Sequence, residues 1–379
     1  MKKLFSEQQE MLRETVRRMA REKIAPIAAE IDVNREYPKY IRDLFSDMGL
    51  LTITVPEKYG GMGGGVTDLA IAMEEIARES ASLAILPFGN LFLTTALGNA
   101  GSEGQRKRFF SQIVEKRYLV AFCISEANAG SDVASIRSRA VFKGDNYIIN
   151  GTKQFISNAS GADLFMVLAS TDPSKKGNGL SMFVVERHYN GLSVGKKEMK
   201  MGIRGVPSNE VVFEDVHAPE EDRLGEEGDG FKVAMGILDW TRVGIGAWAV
   251  GLAGGALDYA INYAKEREAF GQPIAMFQGL QFMIADMAMQ VEAARSLMYL
   301  TASRLDSGED NINRYTSMCK CFATDVAMKV CTDAVQVLGG YGYMQEYPVE
   351  RMMRDAKGLQ ILEGTNQIQR TVIANELFS

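Results

Sequence analysis

Near its C-terminal end the chain contains Asp333-Ala-Val-Gln-Val-Leu-Gly-Gly-Tyr-Gly-Tyr343 and then Leu362-Glu-Gly-Thr-Asn-Gln-Ile-Gln-Arg370. Apolar residues recur at helical spacing up to the two glycines, and they recur again after Leu359. Taken alone, the glycines would indicate only the end of a helix. Long helices rich in Ala, Leu and Met are typical of a helical bundle. Four helices are predicted in this last part of the chain, over 230–266, 277–307, 311–338 and 359–377.

The middle of the chain, from about residue 118 to residue 215, has a different pattern. Short runs of apolar residues alternate with polar ones, and turn residues such as Gly144-Asp145-Asn146 separate the runs. This pattern predicts a compact β domain, either a sandwich or a barrel. The predicted strands cover 119–124, 140–142, 147–149, 164–169, 181–185 and 210–213.

The part of the chain before this β region is predicted to be helical. Ser6 and Gln9 form a capping-box pattern at the start of one helix. Two further helices are predicted over 40–50 and 66–78. The order of elements is therefore α, then β, then α, which is an α+β fold. The expected domains are an N-terminal helical domain, a middle β domain and a C-terminal helical bundle, over 1–116, 117–226 and 227–379.

Composition and charge exclude several classes of protein. The 379 residues include 42 Lys and Arg against 48 Asp and Glu, a formal net charge of −6. Nucleic-acid-binding proteins are normally basic, so no nucleic-acid partner is expected. Four cysteines are too few for a disulfide scaffold in a chain of this length. The two histidines lie far in sequence from Cys319 and Cys321, so no metal site is expected.

Targeting and membrane segments are not expected either. The N-terminus has a basic start but lacks an apolar signal-peptide core, which favours a cytoplasmic protein. The uncharged run 80–102 is interrupted by Pro, Gly and Asn, and the run 243–257 is too short to cross a bilayer. Both are predicted to be buried core segments. The glycines between Tyr59 and Gly65 match no phosphate-binding motif and are interpreted as a flexible connection.

Common enzyme signatures are missing as well. The chain has no G-x-S-x-G and no H-E-x-x-H motif, and two distant histidines make a Ser-His-Asp triad improbable. A Rossmann domain would show alternating strands and helices, and the chain has no such alternation. Hydrolase and NAD-dehydrogenase functions are therefore disfavoured.

Three segments together resemble the acyl-CoA dehydrogenase family, in particular its short- and medium-chain members. They are Phe122-Cys-Ile-Ser-Glu-Ala-Asn-Ala-Gly-Ser-Asp-Val-Ala-Ser135, Arg267-Glu-Ala-Phe-Gly-Gln-Pro273 with Phe277-Gln278, and the C-terminal motifs quoted above. The resemblance implies an FAD flavoprotein whose C-terminal domain is a four-helix bundle. It also implies a homotetramer that passes electrons to an electron-transferring flavoprotein. The expected reaction is α,β-dehydrogenation of an acyl-CoA thioester to a trans-2-enoyl-CoA.

The resemblance assigns the catalytic base to Glu363. A carboxylate in a dry pocket has a raised pKa and is a stronger base toward a weak carbon acid. Some family members place the base one residue before an arginine on another helix, but that position here is Thr241, which precedes Arg242. The backbone N–H of Glu363 is expected to bind the thioester carbonyl. Leu362 stands where the family often has Tyr.

The resemblance also assigns binding residues, and some of them depart from the family pattern. Phe155 stands where Trp is common, Ser125 and Ser157 where Thr is frequent, and Ala269 where a hydroxyl residue is frequent. The implied FAD-binding residues are Phe122, Ile124, Ser125, Gly130, Ser131, Phe155, Ile156, Ser157, Arg267, Phe270, Phe277, Gln278, Gln336, Gly339, Gly340, Thr365 and Gln367. Some of them are expected to reach the FAD of a neighbouring subunit. The implied substrate-binding residues are Ser131, Phe231, Asp239, Arg242 and Gly364. For Asp239 and Arg242, a structural ion pair on one helix face is the alternative.

The acyl group and the direction of the reaction are less constrained. The expected pocket floor over 84–94 contains Phe88, Leu91 and Phe92 but no arginine, which favours an uncharged short, cyclic or aryl acyl group. The same residues would serve an enoyl-CoA reductase working in reverse with an electron-bifurcating flavoprotein. An oxidase that passes electrons to oxygen is a third possibility. A non-catalytic, nucleic-acid-associated relative is disfavoured because the chain is acidic and keeps Glu363.

Overall fold

Helices alone make up the first part of the computed structural model, which describes residues 5–378. Ser6 and Gln9 form the predicted capping box, each bonding the backbone of the other. The helices predicted over 40–50 and 66–78 are present, whereas the last two helices of this part were not predicted as helices. The run 80–102 is buried, as expected, but it is mainly helical and apolar on nearly every face, so it shows no helical period. The helices are α1 Glu7–Met19, α2 Ala28–Asn34, α3 Tyr40–Asp47, α4 Val66–Glu79, α5 Ile85–Ala100 and α6 Glu103–Glu115.

A single eight-stranded sheet forms the middle of the chain. Its strands are β1 Val120–Cys123, β2 Arg139–Lys143, β3 Asn146–Ser157, β4 Leu164–Ser170, β5 Leu180–Glu186, β6 Leu192–Lys197, β7 Ser208–Pro219 and β8 Arg223–Leu224. The strand order is β6-β7-β3-β2-β4-β5-β8, and β1 pairs with β4 in parallel. The six predicted strands are present, and β6 and β8 were not predicted. β8 has only two residues, too few to show an alternating pattern.

Five helices complete the chain, and one predicted helix is corrected. They are α7 Gly230–Glu266, α8 Gln278–Asp306, α9 Asn313–Leu338, α10 Pro348–Leu359 and α11 Asn366–Phe378. A two-stranded ribbon of β9 Glu268–Ala269 and β10 Gln272–Pro273 lies between α7 and α8. The single helix predicted over 359–377 is wrong. A turn over residues 360–365 separates α10 from α11, because Glu363 and Gly364 have positive φ angles of 55° and 85°.

The central element of the helical part is α7. By length and composition it could cross a membrane, but 83% of its most apolar window is buried inside the protein. The expectation of a buried core segment over 243–257 is thus confirmed. Gly244 allows close approach to α5, since a Cβ built there would lie 2.8 Å from the ring of Phe88. This contact places α5 against the half of α7 that carries Thr241 and Arg242.

Candidate active site

Glu363 lies in the tight turn between α10 and α11. Its left-handed backbone is uncommon for a residue with a side chain and costs free energy unless surrounding contacts hold it. The amide of Gln369 donates hydrogen bonds to the carbonyl oxygens of Glu363 and Gly364, both at 3.1 Å. Gln369 itself is fully buried. The turn therefore holds the carboxylate in a fixed position.

The Glu363 side chain points toward α7, where one of its oxygens has a hydrogen-bond partner. The hydroxyl of Thr241 donates to Oε2 at 3.0 Å. Burial raises the pKa of Glu363 to about 7, while the Thr241 hydrogen bond and the charges of Arg242 and Lys320 oppose this rise. Among residues 5–378, Oε1 has no hydrogen-bond partner. Glu363 is therefore a carboxylate of near-neutral pKa with one oxygen available to accept a proton.

Removing the Thr241 hydroxyl is expected to make Glu363 harder to ionise. Thr241→Val keeps the side-chain shape but removes the hydrogen bond to Oε2. That hydrogen bond favours the ionised form of Glu363. The pKa of Glu363 should rise further, so the acidic limb of the pH–rate profile should move to higher pH. The check is the pH dependence of flavin reduction under anaerobic conditions. An unchanged profile would show that this hydrogen bond does not influence the ionisation of Glu363.

Arg242 follows Thr241 on α7 and is itself almost completely buried. Its Nη1 donates to Asp239 at 2.9 Å and lies 3.4 Å from the hydroxyl oxygen of Ser317 on α9. Burial raises the pKa of Asp239 to about 6, and the charge of Arg242 opposes the rise. The ion pair considered as an alternative is therefore present. It still leaves a permanent positive charge close to Glu363.

Aromatic side chains from three elements lie beside this part of α7. Phe88 and Phe92 of α5 meet edge to face at 5.0 Å between ring centroids. Phe122 of β1 stacks on Phe92 at 4.6 Å, and Trp248 of α7 lies 6.2 Å from Phe88. Phe88 and Phe92 are buried, so aromatic rings fill this part of the contact between α5 and α7. Further along the same two helices, a cavity of about 340 Å³ is lined in part by Thr94, Thr95 and Trp240.

The predicted flavin-facing residues of the sheet come together at the ends of β1 and β3. The N–H of Gln154 on β3 donates to the carbonyl of Ser125 just after β1, at 2.8 Å. Phe155 has a φ of 60° at an irregularity in the pairing of β3 with β7, and 65% of its side chain is exposed. A flat apolar ring is therefore presented to solvent, and Ser157 stands two residues further along the same strand. Ile156 differs, because its side chain is buried in the sheet core and leaves only its main chain for a ligand.

A buried ion pair supports this surface, and the sequence analysis missed it. Nζ of Lys153 lies 2.9 Å from Glu126 and 3.0 Å from the carbonyl of Ile124. Glu126 in turn accepts the backbone N–H groups of Arg137 and Ser138. A lysine within an otherwise alternating strand was the available signal. The pair fixes the loop after β1, which carries Gly130 and Ser131 at the surface.

A second group of predicted residues lies at the other end of the helical bundle. A cleft of about 540 Å³ there is lined by Arg267, Gln336, Gly339 and Gly340 together with Tyr263, Ile274, Leu280, Val337, Leu338, Tyr341 and Met344. The guanidinium of Arg267 lies 5.3 Å from the ring centroid of Tyr341. A Cβ built on Gly339 or Gly340 would meet nothing within 4 Å, so their backbone is open to a ligand. Phe270 is 96% exposed and contacts Phe277 edge to face.

The Arg267 cleft lies far from Glu363. Arg242, close to Glu363, and Arg267 are 25 positions apart on and just after α7. At 1.5 Å per residue this is roughly 37 Å. Each group fits part of FAD: an exposed aromatic ring with hydroxyls suits an isoalloxazine, and an arginine beside open glycines suits a pyrophosphate. Of the other predicted residues, Gly364, Thr365 and Gln367 lie near Glu363, Phe231 lies close to the N-terminal end of α7, and Gln278 is the first residue of α8.

Three family models match the chain. The acyl-CoA dehydrogenase N-terminal domain model matches residues 6–117, the middle domain model residues 121–216, and the C-terminal domain model residues 228–378.

Relatives and solved structures are similar over nearly the whole chain. A cyclohex-1-ene-1-carbonyl-CoA dehydrogenase of Syntrophus aciditrophicus is 48% identical, with 98% of this chain and 90% of that protein covered. The structure of butyryl-CoA dehydrogenase from Megasphaera elsdenii superposes with a TM-score of 0.97 at 40% identity, covering all of both chains. A chain in a structure described as the electron transferring flavoprotein of Acidaminococcus fermentans, towards a mechanism of flavin-based electron bifurcation, has a TM-score of 0.96 at 42% identity. The match covers 98% of each chain.

Proposed function

The chain belongs to the acyl-CoA dehydrogenase family and is an acyl-CoA dehydrogenase, and from this premise we propose that Glu363 takes the α-proton of an acyl-CoA to give a trans-2-enoyl-CoA. One observation carries this proposal. Glu363 is a carboxylate whose pKa burial raises to about 7, with one oxygen bonded by Thr241 and the other free. A base of near-neutral pKa suits removal of a weakly acidic proton at physiological pH.

The proposed division of labour follows from the positions of the residues. When bound, FAD supplies the acceptor whose N5 takes the β-hydrogen as hydride. Glu363 receives the α-proton on Oε1, while Thr241 holds Oε2. The backbone N–H of Glu363 donates to the thioester oxygen, where negative charge develops. Arg242 keeps a positive charge beside the site. Phe231, Asp239, Gly364 and Ser131 are proposed to bind the CoA thioester.

The proposed substrate is an uncharged short, cyclic or aryl acyl-CoA. Phe88, Phe92 and Phe122 form a cluster of apolar rings, with Phe88 next to Gly244, and this surrounding favours a compact apolar acyl group. α5 carries no charged side chain that could pair with a second carboxylate. The similarity to a protein named for a cyclohexene acyl-CoA and to a butyryl-CoA dehydrogenase supports a compact acyl group.

The cofactor, assembly and partner are further parts of the proposal. The sheet residues of one subunit and the Arg267 cleft of another together hold each FAD. Support for this comes from the distance of roughly 37 Å along α7 between Arg242, near Glu363, and Arg267. We assign the division of the chain to 1–116, 117–226 and 227–379, a homotetrameric assembly and a cytoplasmic location. Neither a membrane nor a nucleic acid is part of the proposal. The electron acceptor is an electron-transferring flavoprotein, for which the Acidaminococcus fermentans similarity is the support.

An anaerobic titration of the purified flavoprotein with acyl-CoAs tests the proposed function. The panel comprises butyryl, octanoyl, isovaleryl, glutaryl, cyclohexanecarboxyl and phenylpropionyl thioesters. We expect the butyryl, cyclohexanecarboxyl or phenylpropionyl thioester to bleach the oxidised flavin rapidly, and the glutaryl and octanoyl thioesters to bleach it slowly. Rapid bleaching by glutaryl-CoA or octanoyl-CoA alone would overturn the substrate class. Bound FAD that no thioester bleaches would overturn the dehydrogenase direction.

An enoyl-CoA reductase working with an electron-bifurcating flavoprotein is the second candidate. The similarity to a chain in a structure concerned with flavin-based electron bifurcation favours it. The same residues serve this direction, because Glu363 in its protonated form would return the proton to the α-carbon. Rapid reoxidation of the pre-reduced enzyme by an enoyl-CoA, together with slow bleaching by acyl-CoAs, would support the reductase direction.

A further inference from the structure

Lys320 is a completely buried lysine on α9, close to the turn that carries Glu363. Its Nζ donates to the carbonyl oxygen of Gly364 at 2.8 Å and to Oδ1 of Asn366 at 2.8 Å. Burying an amine costs free energy unless its hydrogen bonds are satisfied. Lysine is also among the residue types least often fully buried. A lysine in this position therefore calls for a specific reason.

We propose that Lys320 is a positioning residue of the active site, which fixes the left-handed turn at 363–364 and keeps a positive charge beside the Glu363 carboxylate. The inference deepens the proposed function, because it rests on Glu363 as the base. Lys320 contacts neither oxygen of that carboxylate and acts through the main chain of Gly364.

The first argument concerns the backbone. Glu363 and Gly364 both have positive φ angles, so the peptide between them needs external partners to stay in this conformation. Two donors reach the Gly364 carbonyl, Nζ of Lys320 from α9 and the Gln369 amide from α11. The lysine bond is the charge-assisted one and is therefore the stronger of the two. Of these two bonds, it is also the one that comes from a helix not adjacent to the turn in sequence.

The second argument concerns the residues around the lysine. Asn366, the other partner of Lys320, exchanges hydrogen bonds with Thr324 and donates to Oδ1 of Asp325 at 2.7 Å. Gln360, at the start of the turn, also donates to Oδ1 of Asp325 at 2.7 Å. One strip of α9 thus holds both ends and the middle of the turn. Within that strip Lys320 alone binds the carbonyl adjacent to the base.

The third argument concerns charge. The titratable groups that face Lys320 are Glu363 on the turn, Cys321 and Asp325 on α9, and Arg242 on α7. Burial lowers the pKa of Lys320 to about 8, while Cys321, Glu363 and Asp325 oppose the fall. In its charged form Lys320 favours the ionised form of Glu363 and lowers the pKa of that carboxyl. Loss of the lysine charge should therefore raise the pKa of Glu363.

The test compares Lys320→Met with Lys320→Arg and with a matched control, Lys200→Met. Lys200 is another lysine that donates to a backbone carbonyl, that of Val206, and whose pKa burial lowers to about 8. It lies in the connection between β6 and β7, outside the proposed machinery. Two quantities are measured on the holoenzymes: the pH midpoint of flavin reduction and the amide hydrogen exchange of the peptide covering 360–370.

We expect K320M to raise the pH midpoint by about one unit and to speed exchange in the 360–370 peptide. K320R, which keeps the charge, should retain the wild-type midpoint, and K200M should match wild type in both measurements. If K320M does not fold, K320Q is the neutral variant for the same comparison. A neutral variant with the wild-type midpoint and wild-type exchange would overturn the inference. A wild-type enzyme that no acyl-CoA reduces would instead count against the proposed function, while the exchange comparison would still test the turn.

Discussion

Glu363→Gln is expected to slow flavin reduction by an acyl-CoA roughly 10²–10⁴-fold near neutral pH while the protein still binds FAD. The amide nearly matches the carboxylate in size and can still accept the hydrogen bond from Thr241. It cannot accept the α-proton. The alternative position for a base on α7, one residue before Arg242, is Thr241, which has no carboxylate. Rapid-mixing measurement of flavin bleaching by the best substrate gives the rate directly.

The control for this variant is Glu79→Gln. Glu79 lies at the end of α4, and burial raises the pKa of its carboxyl as well. It has no place in the proposed machinery, so this variant should keep the wild-type bleaching rate. Flavin content and melting temperature are compared for all three proteins. Near-normal bleaching by the E363Q protein would remove Glu363 from the role of base.

The large elements could be predicted because each kind leaves a periodic pattern in the sequence. β3 has alternating buried and exposed residues, β4 and β5 are short apolar runs bounded by turns, and α8 presents an apolar face. α5 was expected only as a buried segment, because burial on nearly every side removes the helical period. The turn over 360–365 was missed for a different reason. The apolar spacing continues across it, while its conformation depends on two positive φ angles.

In the active site, too, some features could be predicted from the sequence, whereas others arise only when the helices pack together. Glu363 lies within a long motif and was predicted as the base from the resemblance, an assignment that stays a prediction. The hydrogen bond from Thr241 and the position of Lys320 depend on how α7 and α9 pack against the turn. No spacing in the sequence encodes those contacts. In the sequence, Lys320 stands between Cys319 and Cys321 within a predicted helix. That this part of α9 is buried is seen only in the structure.

Two variants that each lose FAD are expected to restore part of it when they assemble together. Phe155→Asp places a charge on the exposed ring position of the sheet, and Arg267→Glu reverses the charge in the distant cleft. Both side chains are largely exposed, so the fold should survive either change. Each variant alone should bind little FAD. The two positions nonetheless belong to different halves of a site if each FAD lies between subunits.

Co-expression of the two variants with different tags distinguishes a shared site from one contained in a single chain. A mixed pair of subunits has one site with both halves intact and one site with both halves altered. Random pairing across a two-fold interface should therefore restore FAD to about a quarter of all sites, and to a larger fraction of the sites in doubly tagged assemblies. If both groups served one FAD within one chain, every site would carry a defect and no FAD would return. Absorbance of the doubly tagged, purified assembly measures the outcome, and its size by chromatography must match wild type. The distance of roughly 37 Å along α7 between Arg242, near Glu363, and Arg267 favours recovery over none.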